Sequence, residues 1–279
     1  MSIVQVNEHT FRLPVRAREA HKGDFGRVYV LGGSMGYTGA PVFAASAAVR
    51  TGSGLVFLGV PEDIWDVVAI RCAEAMPHPL DRDADKVCRR ISACDAALIG
   101  PGLGQSDGAR ELVHHLVPRL DLPLVLDADG LNVMAGETEM LTRRTAPTVI
   151  TPHEGEFARL TGVPLPISDR IGMAREFAHK HNCTVVLKGH RTVTAAPDGR
   201  VWINTNGNPG MAKGGSGDVL AGVILSLIGQ GFPAPESAAM AVWLHGRAGD
   251  LAAREYGEYA MTPTDLLGNL HRALMELSE

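Results

Sequence analysis

The sequence predicts an α/β protein: a three-layer α/β/α sandwich around a mostly parallel sheet, with a late antiparallel hairpin. Three observations carry this. Short β-branched runs alternate with amphipathic stretches along the chain. The early runs are continuously apolar rather than alternating, as strands covered on both faces should be. The 32 glycines gather at the ends of apolar runs without forming repeats, as ligand loops of α/β sheets do.

In chain order, strands are expected at 28–31, 55–60, 97–99, 124–126, 148–150 and 185–187, each an unbroken apolar or β-branched run. A later pair, 192–196 and 201–203, flanks Pro197-Asp198-Gly199, a hairpin turn signal. Helices are expected at 39–51, 62–70, 107–117, 153–161, 169–181, 215–229, 235–255 and 262–277. No composition break marks a linker and no repeat is found, so residues 1–279 are expected to form one domain.

Composition narrows the function. The chain has 279 residues, 45% hydrophobic and 20% charged, enough for a sizeable core and unlike a disordered segment. Net charge is −5, with pI near 6.1 and no basic block, which argues against nucleic acid and anionic membranes as partners. The four cysteines, Cys72, Cys88, Cys94 and Cys183, form no CxxC pair. Residues 1–18 lack a signal-like apolar region, and Leu220–Leu227 is too short to span a bilayer. A reduced, cytoplasmic protein is expected.

The chemistry is concentrated where strands end. The first strand runs into Gly32-Gly33-Ser34-Met35-Gly36-Tyr37-Thr38-Gly39-Ala40-Pro41 and the third into Gly100-Pro101-Gly102-Leu103-Gly104. Asp127 to Asn132 follow the fourth, Thr151 to Glu156 the fifth, and Lys188-Gly189-His190-Arg191-Thr192 the sixth. In a parallel sheet these loops share one edge, where ligands bind.

Residues 207–223 are the most informative stretch. A glycine cluster, Gly214-Gly215-Ser216-Gly217, is followed by Asp218 and an apolar run through Ile228. That is the start of a buried helix, whose first amides and positive dipole end attract phosphate. Gly217 is expected to need φ > 0 and to let the phosphate approach. A carboxylate there gains nothing for anion binding. It makes sense as the acceptor of a hydroxyl proton beside a transferring phosphoryl group; the alternative is a helix cap.

Other motifs are weaker. Gly102-Leu103-Gly104 reads as a tight turn, and the 32–39 loop lacks the Gly-Lys-Ser/Thr of a P-loop. Asp127 and Asp129 suit either Mg2+, direct or through water, or turn and cap positions. His153 suits substrate contact or a structural role. Lys188 suits phosphate contact or an ordinary exposed position. His114, His115, His179 and His181 lack metal spacing and read as surface.

Taken together, KGDFGRVYVLGGSMGYTGAP, GPGLG, LDADGLN, TPHEGE, KGHRT, NPGMAKGGSGDVLAG and MTPTDLLGNL make the chain resemble the ADP-dependent NAD(P)H-hydrate dehydratases, from Lys22 to Leu270. These form a carbohydrate-kinase-like family within the ribokinase-like fold. The resemblance implies a hydro-lyase that returns hydrated NADH or NADPH, in the S form, to the normal cofactor while ADP becomes AMP and phosphate. It implies Ala40, Gly102 or Gly104, His153 and Asp218 as hydrated-nucleotide contacts. Lys188, Gly189, His190, Arg191, Thr192 and Gly217 are the implied AMP contacts. Mg2+ and a homotetramer are also implied. Lys213 stands where much of the family is expected to carry Thr. No fused epimerase domain is expected, so an epimerase on a separate chain is the expected functional partner. The rivals are a small-molecule kinase of the same fold, which shares Asp218, and a nucleotide sensor without turnover, which has no use for it.

Overall fold

The computed structural model describes residues 3–278. Its strands are β1 (Ile3–Val6), β2 (Arg27–Leu31), β3 (Leu55–Val60), β4 (Met76–Pro79), β5 (Ala96–Ile99), β6 (Leu124–Leu126), β7 (Thr148–Ile150), β8 (Thr184–Leu187), β9 (Val193–Ala195) and β10 (Val201–Asn204). Its helices are α1 (Gly39–Arg50), α2 (Trp65–Arg71), α3 (Ala84–Ile91), α4 (Asp107–Leu116), α5 (Asp129–Asn132), α6 (Glu139–Thr142), α7 (Glu154–Thr161), α8 (Arg170–Lys180), α9 (Ser216–Gly229), α10 (Ala234–Ala260) and α11 (Pro263–Glu276).

All the strands join one sheet in the order β1-β10-β9-β8-β7-β6-β5-β2-β3-β4. Neighbours from β8 to β4 are parallel, as are β1 and β10, whereas β9 is antiparallel to both β8 and β10. After β1 at the far edge, the chain lays down β2, runs outward to β4, and returns to β5 on the other side of β2. That reversal opens a crevice at the carboxyl ends of β2 and β5, the place where such sheets take ligands.

Side-chain alternation builds the two outer layers. Val28 and Val30 of β2 join a core with α1, α2, α9, α10 and α11. Tyr29 and Leu31 turn to the other face and join α3, α4, α7 and α8. Helix α9 is apolar almost all round and correspondingly buried. Ser106 caps α4, Asp169 caps α8, and Thr262 forms a capping box with Asp265 at α11.

The strong runs lie where expected and the hairpin is present. β1, β4, α3, α5 and α6 were not expected. β1 and β4 are the two edge strands, and β4 reads Met-Pro-His-Pro, a composition that only an edge tolerates. Gly257, with φ 76°, breaks the helical backbone near the end of α10. His181 is buried rather than on the surface; its ring lies over Phe177, with centroids 4.2 Å apart. No helix of the described residues is long and apolar enough to cross a membrane.

One buried cation is structural. The Arg144 guanidinium donates to the carbonyls of Val117, Leu120 and Leu122 and to Thr148 Oγ1 at 2.6–2.8 Å. Burial pulls its pKa down to about 10. Arg144→Met leaves those carbonyls without their donor. It is expected to lower unfolding free energy by roughly 3 kcal/mol in denaturant titrations.

Candidate active site

The loops after β2, β5, β6, β7 and β8 meet the start of α9 at one edge of the sheet. Gly33 N–H donates to Pro101 O at 2.8 Å, and Ser34 Oγ to Gly102 O at 2.8 Å, which seals the 32–41 loop onto the 100–104 loop. Ala40 sits directly against Gly102; a Cβ built on Gly102 would lie 3.1 Å from the Ala40 methyl carbon. Gly100 has φ +129°, and a Cβ there would lie 1.9 Å from Asp127 O, so only glycine lets β5 and β6 turn this closely together.

Asp129 ties the group together. Its Oδ2 accepts from Gly104 N–H at 2.9 Å, and its Oδ1 from the amides of Gln105 and Asn132 at 3.1 and 3.2 Å. Asp127, 1% exposed, accepts from Lys188 Nζ and Thr151 Oγ1, both at 2.8 Å. Both carboxylates are therefore engaged by protein donors. Among the described residues no group of three or more His, Cys, Asp or Glu could hold a metal ion. The residues present do not fit a magnesium site ligated by protein side chains.

His153 caps α7. Its Nδ1 accepts from Gly155 N–H at 3.0 Å and Glu156 N–H at 3.3 Å, and Glu156 Oε2 accepts from His153 N–H at 2.8 Å. An Nδ1 that accepts carries no proton, so the neutral ring bears its proton on Nε2. The side chain is 54% exposed, and its Nε2 lies 3.5 Å from Glu156 Oε1. The capping role leaves about half of the side chain exposed to solvent.

Lys188 is not an ordinary exposed lysine: its side chain is largely buried and its ammonium is paired with protein carboxylates. Lys188 N–H donates to Pro152 O at 2.9 Å, and a parallel bridge joins it to His153. Its ammonium contacts Asp127 and stands 3.8 Å from Glu156 Oε2. Burial opposes the charge, yet Asp127, Glu156 and Asp218 together hold the lysine above its ordinary pKa. The following residues, Gly189, His190, Arg191 and Thr192, form a loop that Thr192 Oγ1 closes onto Gly189 O at 2.9 Å.

At the start of α9, Gly215 is the residue with positive φ, at +104°, and its Cβ would meet the Phe43 ring at 2.9 Å. The expectation placed that requirement on Gly217. Gly217 instead lies in the first turn of α9 without positive φ, and its Cβ would sit 3.4 Å from Lys188 Nζ. Gly214 is exposed with open space around it, whereas Ser216 is buried and its carbonyl accepts from His245 Nε2 at 2.8 Å. Lys213 points away from the cluster, donating to Tyr259 O at 2.8 Å and to Met261 O at the end of α10.

Asp218 follows in the same turn. Burial first, then the negative charges of Asp127, Glu156 and Asp129, push its carboxyl up to about 7 against the pull of Lys188. A helix N-terminus favours an anion by at most about 2 kcal/mol, and here burial among carboxylates outweighs it. A carboxyl poised near neutrality is tuned for proton transfer.

Three participants were not read from the sequence as site residues. Arg170 clamps the 188–192 loop, donating to the carbonyls of Leu187, Lys188 and His190 at 2.9, 3.2 and 2.7 Å. Its Nε faces Glu154 Oε1 at 3.0 Å, an ion pair short of good hydrogen-bond geometry. His245 holds the α9 turn, and burial pulls its pKa down to about 4. Glu156 carried a legible sign, its spacing of three from the residue that caps α7. Elsewhere, a hollow of about 800 Å3 lies at the opposite edge beside Arg16, Phe25 and Gln230, away from every carboxylate described above.

The glycine-lined helix start and its near-neutral carboxyl lie at the switch-point crevice of a protein of the ribokinase-like class. A family model, NAD(P)H-hydrate dehydratase, matches residues 28–272, and the chain belongs to that family. It is 41% identical over 254 residues to the ADP-dependent (S)-NAD(P)H-hydrate dehydratase of Neisseria meningitidis, covering 89% of this chain and 84% of that one. It is 44% identical over 279 residues to the bifunctional NAD(P)H-hydrate repair enzyme Nnr of Moorella thermoacetica, covering 96% of this chain and 53% of that protein. The chain spans about half the length of several bifunctional relatives. The crystal structure of a Bacillus subtilis ADP/ATP-dependent NAD(P)H-hydrate dehydratase, co-crystallised with ATP and Mg2+, superposes with a TM-score of 0.88 at 32% identity over 100% of both chains.

Proposed function

We propose that this chain dehydrates the S form of hydrated NADH or NADPH, using ADP and releasing AMP and phosphate. The observation that carries the reading is Asp218: a partly buried carboxyl with a pKa of about 7, in the first turn of a glycine-led helix. A ring hydroxyl is a poor leaving group and phosphate is a good one. Asp218 takes the hydroxyl proton as the oxygen attacks the terminal phosphorus of ADP, and the bond to AMP breaks. Amides of the Gly214–Gly217 turn hold the developing charge. The C–O bond then breaks, its electron pair leaving with phosphate, as the ring nitrogen pushes electrons in. Loss of a proton from the neighbouring carbon restores the dihydronicotinamide.

The loop from Lys188 to Thr192, with Gly217, is assigned to the AMP portion. Ala40, Gly102, Gly104 and His153 are assigned to the hydrated nucleotide. His153→Ala is expected to raise KM for hydrated NADH about tenfold, the worth of one hydrogen bond, with ADP affinity unchanged. Steady-state kinetics and calorimetry check this; lost ADP binding would put the two ligands in the wrong halves.

Mg2+ is assigned to the nucleotide phosphates, in keeping with the engagement of Asp127 and Asp129 by protein donors. An epimerase that interconverts the R and S hydrates is the proposed functional partner, and the cytoplasm the proposed location. A homotetramer is also proposed; exposed Val67, Ile70 and Met76 along α2 and β4 support association, and light scattering tests it.

Product analysis tests the function. Chromatography of a reaction with hydrated NADH and ADP should give AMP, phosphate and NADH in equal amounts. A persistent phosphorylated alcohol would identify a kinase instead.

A further inference from the structure

We infer that Glu156 is the positioning residue that couples the two halves of this site, one buried carboxylate anchoring His153 and sharing the Lys188 ammonium with Asp127. The inference rests on the functional reading above.

Glu156 is 5% exposed on the first turn of α7. Its Oε2 accepts from His153 N–H at 2.8 Å and lies 3.8 Å from Lys188 Nζ, while Oε1 lies 3.5 Å from His153 Nε2. One side chain thus touches the main chain and ring of the proposed hydrated-nucleotide contact. It also touches the ammonium that lies beneath Gly217. The parallel bridge between His153 and Lys188 keeps these groups in register.

The ionisable groups around it come from every neighbouring element. Asp127 and Asp129 follow β6, Lys188 ends β8, Asp218 opens α9, and His153 caps α7. His245 approaches from α10 and also feels Lys188. Glu154, beside Glu156 on α7, is paired with Arg170. Within this set Glu156 has two separable duties. Its cap on His153 N–H needs only an acceptor, which glutamine also supplies. Its effect on Asp218 needs the charge, which glutamine lacks.

E156Q and E156A separate these duties. In E156Q the acid limb of kcat/KM is expected to move to lower pH, because Asp218 loses a negative neighbour. KM for hydrated NADH should stay within about threefold, because the acceptor remains. In E156A the limb should move likewise and KM should rise about tenfold, because His153 N–H loses its partner. The Asp218 carboxyl is also titrated by 13C NMR, with D218N used to assign its resonance, so the coupling is read without turnover. A lower Asp218 midpoint in both variants supports the inference. A lowered melting temperature with the midpoint unmoved overturns it and leaves Glu156 a purely structural cap. If the wild-type protein does not turn over hydrated NADH, the functional reading fails, and the NMR midpoint still decides the coupling.

Discussion

Asp218→Asn is expected to lower turnover of hydrated NADH by roughly 10²–10⁴-fold, the usual contribution of a general base. ADP affinity should persist, since the α9 amides are unchanged. The wild-type acid limb should have its midpoint near 7, where Asp218 gives up its proton. The same substitution has an opposite effect on stability. The Asp218 carboxyl is pushed from 3.8 to about 7 in the folded protein. Between those values the folded state holds a proton that the unfolded chain has released, so stability falls as pH rises through the window. Above pH 7 the full penalty applies, on the order of 4 kcal/mol. Asparagine removes it. The variant should therefore be more stable than the parent at pH 8, with the gap closing as pH falls towards 4. Denaturant melts at the two pH values measure this, and kinetics at pH 8 measure the loss of turnover. Near-normal turnover would remove Asp218 from its role.

Gly217→Val should weaken ADP binding by at least about tenfold, some 1.4 kcal/mol, with the fold retained. Gly217 has no positive φ, so valine strains no backbone; its Cβ stands 3.4 Å from Lys188 Nζ, at the edge of ordinary contact. On the proposed reading, the branched side chain crowds the first-turn amides of α9 assigned to the phosphates. Calorimetry with ADP checks this, and circular dichroism confirms folding. Unchanged affinity in a folded variant would mean the phosphates lie elsewhere.

The parallel strands were legible because β2, β3, β5, β6, β7 and β8 are largely apolar or β-branched runs bounded by glycine or polar loops. Edge strands escape such patterns. β1 is half exposed at Ile3 and Val4, and β4 contains two prolines, so neither looks like a strand in isolation. Asp218 was legible because a glycine cluster and an apolar helix flank it within a few residues. The setting of Lys188 was not, because its partner Asp127 is 61 residues away and only the β6–β7–β8 order brings them together. The clamp by Arg170 has the same origin: its carbonyl partners lie across a turn of chain that local pattern does not connect. The backbone demand of the 214–217 glycines was legible as a group but fell on Gly215 rather than Gly217, because Gly215 is the N-cap of α9 and Gly217 already lies in its first turn.

The most direct test is to incubate the purified protein with separated S and R hydrates of NADH, ADP present, and follow the return of dihydronicotinamide absorbance. Recovery from the S form alone, dependent on ADP, is the predicted result. No recovery from the S form, in folded protein that binds ADP, would contradict the account.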